Sequence, residues 1–405
     1  MASEKKKPVY WLVAACCCGL TAVAFGISLN CAGIFFSPVA EELKTGRGDI
    51  ALYITIMNLV TGFGSPLAGR LVKRISLRSW FLCAAILITG AMALWSQVSS
   101  VWQLYILAVA QGIGNVMIGA VVVRMILTAW FERSLGLILG IAFSFSGMIG
   151  AVLSPVLQGI VDRAGWRAAH DISALLCALL ILPSAFLLRR SPQEKGLQPY
   201  GADAEARKTP EDPRNPVSRR MDAGIPGIAA ILVIGFSGPF LTGINQHISG
   251  YATSIGLAAS DGALMITAIM VGNVLSKLLF GFLSDRIGSK PAFLAFMAVT
   301  VAGIAGLLRF SSFRPLLAST FLIGFTYSLG TLGVAQLARA QFPADKGDRY
   351  YAWSQMAANI GSSLSAAVIG YAFDLSGSYR AAFVLCLGLG ILSWICGAAG
   401  FRKEH

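Results

Sequence analysis

Charge is the scarcest commodity in this sequence. Asp, Glu, Lys and Arg together make up 13% of the chain, against roughly 25% in soluble domains. Only three histidines are present, and the 19 acidic residues are outnumbered by 32 basic ones. A chain so poor in charge is not an ordinary soluble globule. No Walker pattern, no Ser/His/Asp set and no metal-ligand spacing of cysteines or histidines occurs, which argues against a nucleotide-driven, hydrolytic or metal-dependent activity. No cofactor and no metal are expected. The eight cysteines, Cys16, Cys17, Cys18, Cys31, Cys83, Cys177, Cys386 and Cys396, read as small apolar packing residues. A cleavable leader is not indicated either. Lys5, Lys6 and Lys7 run directly into a full-length apolar stretch, so the first helix is expected to stay.

What the sequence has in abundance is apolar length: 56% of residues are hydrophobic and mean hydropathy is +0.70. Stretches 10–29, 81–93, 172–188, 227–241 and 383–401 carry almost no charge, at lengths near the roughly 20 residues of a spanning helix. The expected fold class is an all-α membrane protein with about twelve spans. They fall near 9–30, 50–70, 79–96, 102–123, 135–160, 168–188, 226–248, 262–284, 291–309, 314–338, 351–373 and 381–400. The net charge of +13 does not indicate a nucleic-acid partner. With the N-terminus in the cytoplasm most Lys and Arg fall in cytoplasmic loops and tails, as the positive-inside rule requires. Groups such as Arg70, Lys73, Arg74 and Arg78 sit where anionic lipid meets helix ends. The expected location is the cytoplasmic membrane, with both termini inside and a monomeric chain.

One segment breaks the pattern. Residues 189–223 are polar and basic and include Pro192, Pro199, Pro210, Pro213 and Pro216, the composition of a linker. It separates an expected N-terminal six-helix bundle, 1–188, from a C-terminal one, 224–405. The halves repeat. Gly69 and Gly281 lie 212 residues apart after the second span of each half, and Gly112 and Gly324 share that offset in the fourth. Asp162-Arg163-Ala164-Gly165-Trp166-Arg167-Ala168-Ala169 matches Asp374 to Ala382 with one residue inserted. Two parallel repeats imply a pseudo-twofold axis along the membrane normal, with a substrate path between the halves.

Gly281-x-x-x-Asp285-Arg286-x-Gly288-x-Lys290 resembles the signature loop of the major facilitator superfamily. The N-terminal copy departs from it, with Lys73 in place of the acid and Ser76 in place of the second glycine. The resemblance implies gating roles for Asp285, which can sit at a helix N-terminus, and Arg286. Phe25 to Ser28, Gly33-Ile34-Phe35-Phe36-Ser37-Pro38 and Arg47-Gly48-Asp49 look like the first helix and first outer loop of bacterial monocarboxylate transporters, a group with oxalate–formate exchangers among its relatives. Trp130-Phe131-Glu132-Arg133 resembles their junction of helices four and five.

Charge within a bilayer costs at least about 2.5 to 3.5 kcal/mol on insertion scales, so a mid-span ion is a functional residue by default. Lys277 is such an ion, eight residues and so about 12 Å before Asp285. In the monocarboxylate family this place resembles that of a substrate-binding arginine. Lysine offers a point charge in place of a planar fork, and it is a candidate both to bind a carboxylate and to exchange a proton. Asn273 lies one turn earlier on the same face, where some family members carry an aspartate. Without that acid, His247 in Asn245-Gln246-His247 becomes the other proton-coupling candidate. Tyr327 and Asn115 sit among glycines and have hydrogen-bonding groups to offer a substrate, although helix packing accounts for them equally well. Arg124, near the end of the fourth span, reads as a gate or headgroup contact.

A single deep cation favours a monoanion. The expected function is alternating-access transport of a lactate- or pyruvate-like monocarboxylate with protons as the coupling ion. The alternatives are organic-anion exchange of the oxalate–formate type and efflux of amphipathic compounds, with an enzyme the least expected.

Overall fold

The computed structural model describes residues 7–132, 135–201, 224–342 and 344–401. Lys5, Lys6, Arg133 and the expected linker from 202 to 223 lie outside them. The described chain is helical, and its one β contact is an isolated parallel bridge between Phe131 and Tyr200. Lipid offers backbone groups no partner, so a spanning chain must pair its own N–H and C=O groups, and helices do this locally.

The first span is α1 (Lys7–Thr21), continued by a π-helical segment Ala22–Asn30 and, past a turn, by α2 (Gly33–Leu43). Then come α3 (Arg47–Leu71), α4 (Leu77–Trp95), α5 (Val101–Ile118), α6 (Ala120–Trp130) and α7 (Leu135–Leu187). The remainder is α8 (Gly224–Leu241), α9 (Ile244–Ser254), α10 (Ala259–Ile287), α11 (Ser289–Arg309), α12 (Phe313–Ile323), α13 (Thr326–Ser328), a π turn at Leu329–Gly333, α14 (Val334–Gln341), α15 (Ala344–Ser376) and α16 (Arg380–Gly400).

Ten runs among the described residues are long and apolar enough to cross a bilayer, where the sequence suggests about twelve spans. Two local features account for the difference. The helical run α7 covers 53 residues, too many for a single crossing of a hydrocarbon core of about 30 Å at about 1.5 Å per residue. It contains both the fifth and the sixth expected spans, bent at Gly165, whose φ of 83° is open to glycine. The tenth expected span is divided among α12, α13, the π turn and α14, so no single piece of it has spanning length.

Both ends of the described chain and the segment after α7 share one face of the molecule. Tyr10 donates to the Gln198 carbonyl at 2.6 Å, Lys290 donates to the Phe401 carbonyl, and Gly400 packs on Ala230. This linker face stands opposite a distal face formed by the ends of α2, α9, α15 and the Gly165 bend. Residues 189–201 lie along the linker face: Arg190 donates to the carbonyls of Lys73 and Ile75, and Trp130 donates to that of Arg189 at 2.9 Å.

Two apolar cores result. One is confined to α1, the π segment, the linker-side part of α3 and α4 to α7, with Cys17, Phe81, Leu127 and Ile181 at its centre. The other joins the distal parts of α2, α3 and α7 to the helices after the linker, and includes Phe35, Phe36, Ile50, Ile248, Tyr251 and Phe383. Burial thus fuses the two parts of the chain at the distal face. At the linker face Gly136, Gly140 and Gly281 all have open space where a side chain would stand.

Candidate substrate site and distal gate

The distal closure grows from the N-terminus of α3. Its first amides have no intrahelical partners, and a carboxylate from the other end of the sequence takes them. Asp374 of α15 accepts from the Arg47 N–H at 3.0 Å and from the Gly48 N–H at 2.7 Å, an anion at the positive end of a helix. The Arg47 guanidinium donates to the Gly250 carbonyl at 3.1 Å and to the Tyr379 hydroxyl at 3.0 Å, and lies 4.4 Å over the Phe373 ring. Tyr371 donates to Asp49 at 2.9 Å. Helix α2 comes so close to α9 that a Cβ on Gly33 would stand 2.2 Å from the Gln246 carbonyl oxygen. The expected first and seventh spans, which stop near 30 and 248, therefore continue as α2 to Leu43 and α9 to Ser254, because the two extensions pack on each other.

Further toward the linker face the contacts become fewer. Thr267 of α10 donates to the Ala151 carbonyl of α7 at 2.8 Å, and Asn58 of α3 reaches the Ser362 carbonyl of α15 at 3.4 Å. Gly147 of α7 then meets Asn273 and Val274 of α10. Lys277 stands one turn beyond Asn273 on the same helix face, about 5.4 Å closer to the linker face, where the packing gives out. It is half-buried, and its ammonium makes no hydrogen bond or ion pair among the described residues.

Asn273 is buried, with its Nδ2 3.9 Å from Met270 Sδ and its Oδ1 without a partner among the described residues. Asn273 and Lys277 are thus together. Tyr327, half-buried on α13, follows Gly324, which packs against Gly272 of α10. Asn115 is elsewhere: its Nδ2 is 3.4 Å from Met57 Sδ of α3, in the packing between α3 and α5. Asp285 and Arg286 are exposed on the last turn of α10. Arg286 stacks on Phe282 at 4.1 Å, and Asp285 has no ion pair among the described residues. Arg124 is exposed on α6.

His247 sits in the distal closure, 1% exposed. Its Nε2 is 2.7 Å from the Ala366 carbonyl, its Nδ1 is 3.5 Å from the Tyr379 hydroxyl, and Phe36 meets its ring edge-on at 5.4 Å. Sequence reasoning passed over three groups that the structure brings forward. Arg47 and Asp374 were noted only as parts of a motif and a repeat. The third is His170, 4% exposed and stacked between Trp95 and Phe35 at ring distances of 4.6 and 4.0 Å. Its signal was present, since it is one of only three histidines and lies inside a span.

The sequence profile of the Major Facilitator Superfamily matches residues 18–244 and again 224–405. The chain belongs to the major facilitator superfamily. Among its relatives, monocarboxylate transporter 13 of Bos taurus is 25% identical over 94% of this chain and 88% of that protein. Monocarboxylate transporter 12 of Mus musculus is 23% identical over 93% of this chain and 82% of its own length. The crystal structure of the nucleoside transporter NupG superposes with a TM-score of 0.73 at 14% identity, covering 98% of this chain and all of that one. A bacterial homologue of the human lysosomal transporter Spinster, in an inward-facing and unoccupied conformation, gives 0.70 at 13% identity, covering 99% and all. The protein is a multi-pass secondary transporter of a small molecule and not an enzyme, and it resembles the monocarboxylate transporters.

Proposed function

We propose that this transporter carries a small monocarboxylate of the lactate or pyruvate type across the cytoplasmic membrane, coupled to protons, by alternating access. In this reading the linker face and both termini are cytoplasmic, and the structure, sealed distally, is the inward-open conformer. The observation that carries it is Lys277, a cation without a counter-ion among the described residues, on the face of α10 that meets α7 and at the level where the packing ends. A carboxylate entering there supplies the missing negative charge. One lysine balances one carboxylate, which favours a monoanion. The relatives named as monocarboxylate transporters support the same substrate class.

Asn273 and Tyr327 orient the substrate, and Asn115 lines the opposite bundle. Lys277 and His247 are the proton-exchanging groups of the second half. When the distal closure opens, the linker face shuts, and Asp285, Arg286 and Arg124 form its gate. Uptake of labelled lactate and pyruvate into proteoliposomes tests the assignment. Lys277→Ala is expected to lower uptake at least tenfold while the protein keeps its melting temperature, with Lys277→Arg retaining part of it. Uptake unchanged in Lys277→Ala for every monocarboxylate transported would show that the site is elsewhere.

A further inference from the structure

The first half of the chain holds a buried polar site that the transport reading above leaves unused. His170 is clamped between aromatic faces, yet neither Nδ1 nor Nε2 has a hydrogen-bond partner among the described residues. Orphaned buried groups of this kind are rare and costly. The ring lines a cavity of about 10 Å³ together with Ser28, Phe35, Phe36, Tyr53, Trp95 and Ser173, enough room for about one water. The Ser28 hydroxyl and the Trp95 indole N–H also have no partner among the described residues. Three unsatisfied polar groups around a water-sized space define a place for a water hydrogen-bonded to His170.

The surroundings contribute no charge to the cavity wall. From α3 comes Tyr53, whose hydroxyl is 3.4 Å from Gln111 Oε1; from α4 come Met92 and Trp95, and from α7 Trp166 and Ser173. The nearest ion pair, Glu42 with Arg167, reaches the cluster only through the Trp166 indole N–H, which donates to Glu42 at 2.5 Å. Asp171 is exposed. The lid is α2: Phe35 covers the imidazole, and Phe36 lines the cavity on one side and touches His247 on the other. Because α2 is held by α9, this lid is held by the distal closure itself.

We infer that His170 is a proton-binding site gated by α2, sealed while the distal face is closed and opened to the distal solution when α2 separates from α9. A ring nitrogen lone pair accepts the proton through the cavity water and returns it by the same route. His247 has both nitrogens engaged in this conformer, by the Ala366 carbonyl and the Tyr379 hydroxyl, so it can exchange a proton only once the distal closure releases Tyr379. The inference deepens the proton-coupled reading and rests on it.

Two measurements separate the ideas. In proteoliposomes with a pH gradient, His170→Phe is expected to lose pH-driven accumulation of labelled lactate at least tenfold while retaining lactate counterflow. Phenylalanine is chosen because the repeat places Phe383 at the equivalent position of the second half, and His170→Gln repeats the test against a packing fault. Accumulation within twofold of the unsubstituted protein in both variants would overturn the inference. If no lactate or pyruvate is transported, or none is driven by pH, the monocarboxylate or coupling reading fails, and histidine ¹⁵N resonances in nanodiscs decide the site independently. With three histidines in the chain, loss of a signal in His170→Phe assigns it. That signal is expected to move between pH 5 and 8 in Asp374→Asn, where the distal closure is weakened, and to stay fixed in the unsubstituted protein. A signal fixed in both proteins, or moving in both, overturns the gated proton site.

Discussion

The two halves of the chain repeat the same landmarks at an offset of 212 residues, with one residue inserted before the last span, yet they divide their polar work differently. Asp49 and Asp261 are 212 residues apart, as are Asp162 and Asp374. In the second half Asp261 caps its own helix, accepting from the Ala258 N–H at 3.3 Å. Its counterpart Asp49 also accepts locally, from the Thr45 hydroxyl at 2.6 Å, but it accepts from Tyr371 as well, and the α3 N-terminus takes a second cap from Asp374 across the interface. Asp162, the counterpart of Asp374, accepts from Gln158 within its own helix at 2.8 Å. The distal closure therefore depends on one of two symmetry-related carboxylates. The histidines are traded in the same way: the repeat aligns Phe35 with His247 and His170 with Phe383, so each half has one imidazole at its distal end, but among the described residues that of His247 is hydrogen-bonded to protein groups and that of His170 is not. Pseudo-symmetry has kept the scaffold and left the chemistry free to diverge.

That asymmetry is open to direct attack. The most localised effect, read at individual amides, is expected from Asp374→Ala, which removes two charge-assisted bonds from a helix start. Loss of a cap costs about 0.5 to 2 kcal/mol, so amide exchange at Arg47 and Gly48 should accelerate roughly 2- to 30-fold. Asp162→Ala should leave exchange at the start of α10 unchanged; equal acceleration in the two variants would abolish the distinction. Next comes His247→Phe, which strands the Ala366 carbonyl and should destabilise by about 1 to 3 kcal/mol in thermal melts. His170→Phe gives up no hydrogen bond to a protein group among the described residues and should cost less than His247→Phe; the reverse order would contradict the contrast between the two imidazoles.

The smallest effect concerns Glu42. Arg167, and after it the Trp166 indole, hold its carboxyl below the ordinary value of 4.5, whereas the corresponding position of the second half is Ser254. A lowered carboxylate contributes stability that is present above its unfolded value and lost as pH falls through the folded one. Solvent screening keeps this exposed pair weak. Melting temperature should fall slightly further on acidification from pH 6 to 3 in the unsubstituted protein than in Glu42→Gln.

Much of the fold was legible because lipid imposes long apolar runs and the repeat is marked by glycines that a close approach or a bend demands, such as Gly324 and Gly165. Span ends were less legible. The continuation of the first and seventh spans into α2 and α9 depends on contacts between residues more than two hundred positions apart, which hydropathy does not register. The depth of Lys277 could be read because burying a charge is expensive wherever it occurs. The pairing of Arg47 and Asp374 could not, since each looks like an ordinary loop charge until the two halves meet. His170 was hidden for the opposite reason: nothing in the sequence tells a satisfied histidine from an orphaned one.

The bend at Gly165 bears on how the molecule is seen from outside. Because the fifth and sixth spans meet directly at the Gly165 kink, the distal side offers a protease or an antibody no extended loop at that crossing. In the topology proposed above, reagents that must grip extended backbone should find no hold from the exterior at this crossing.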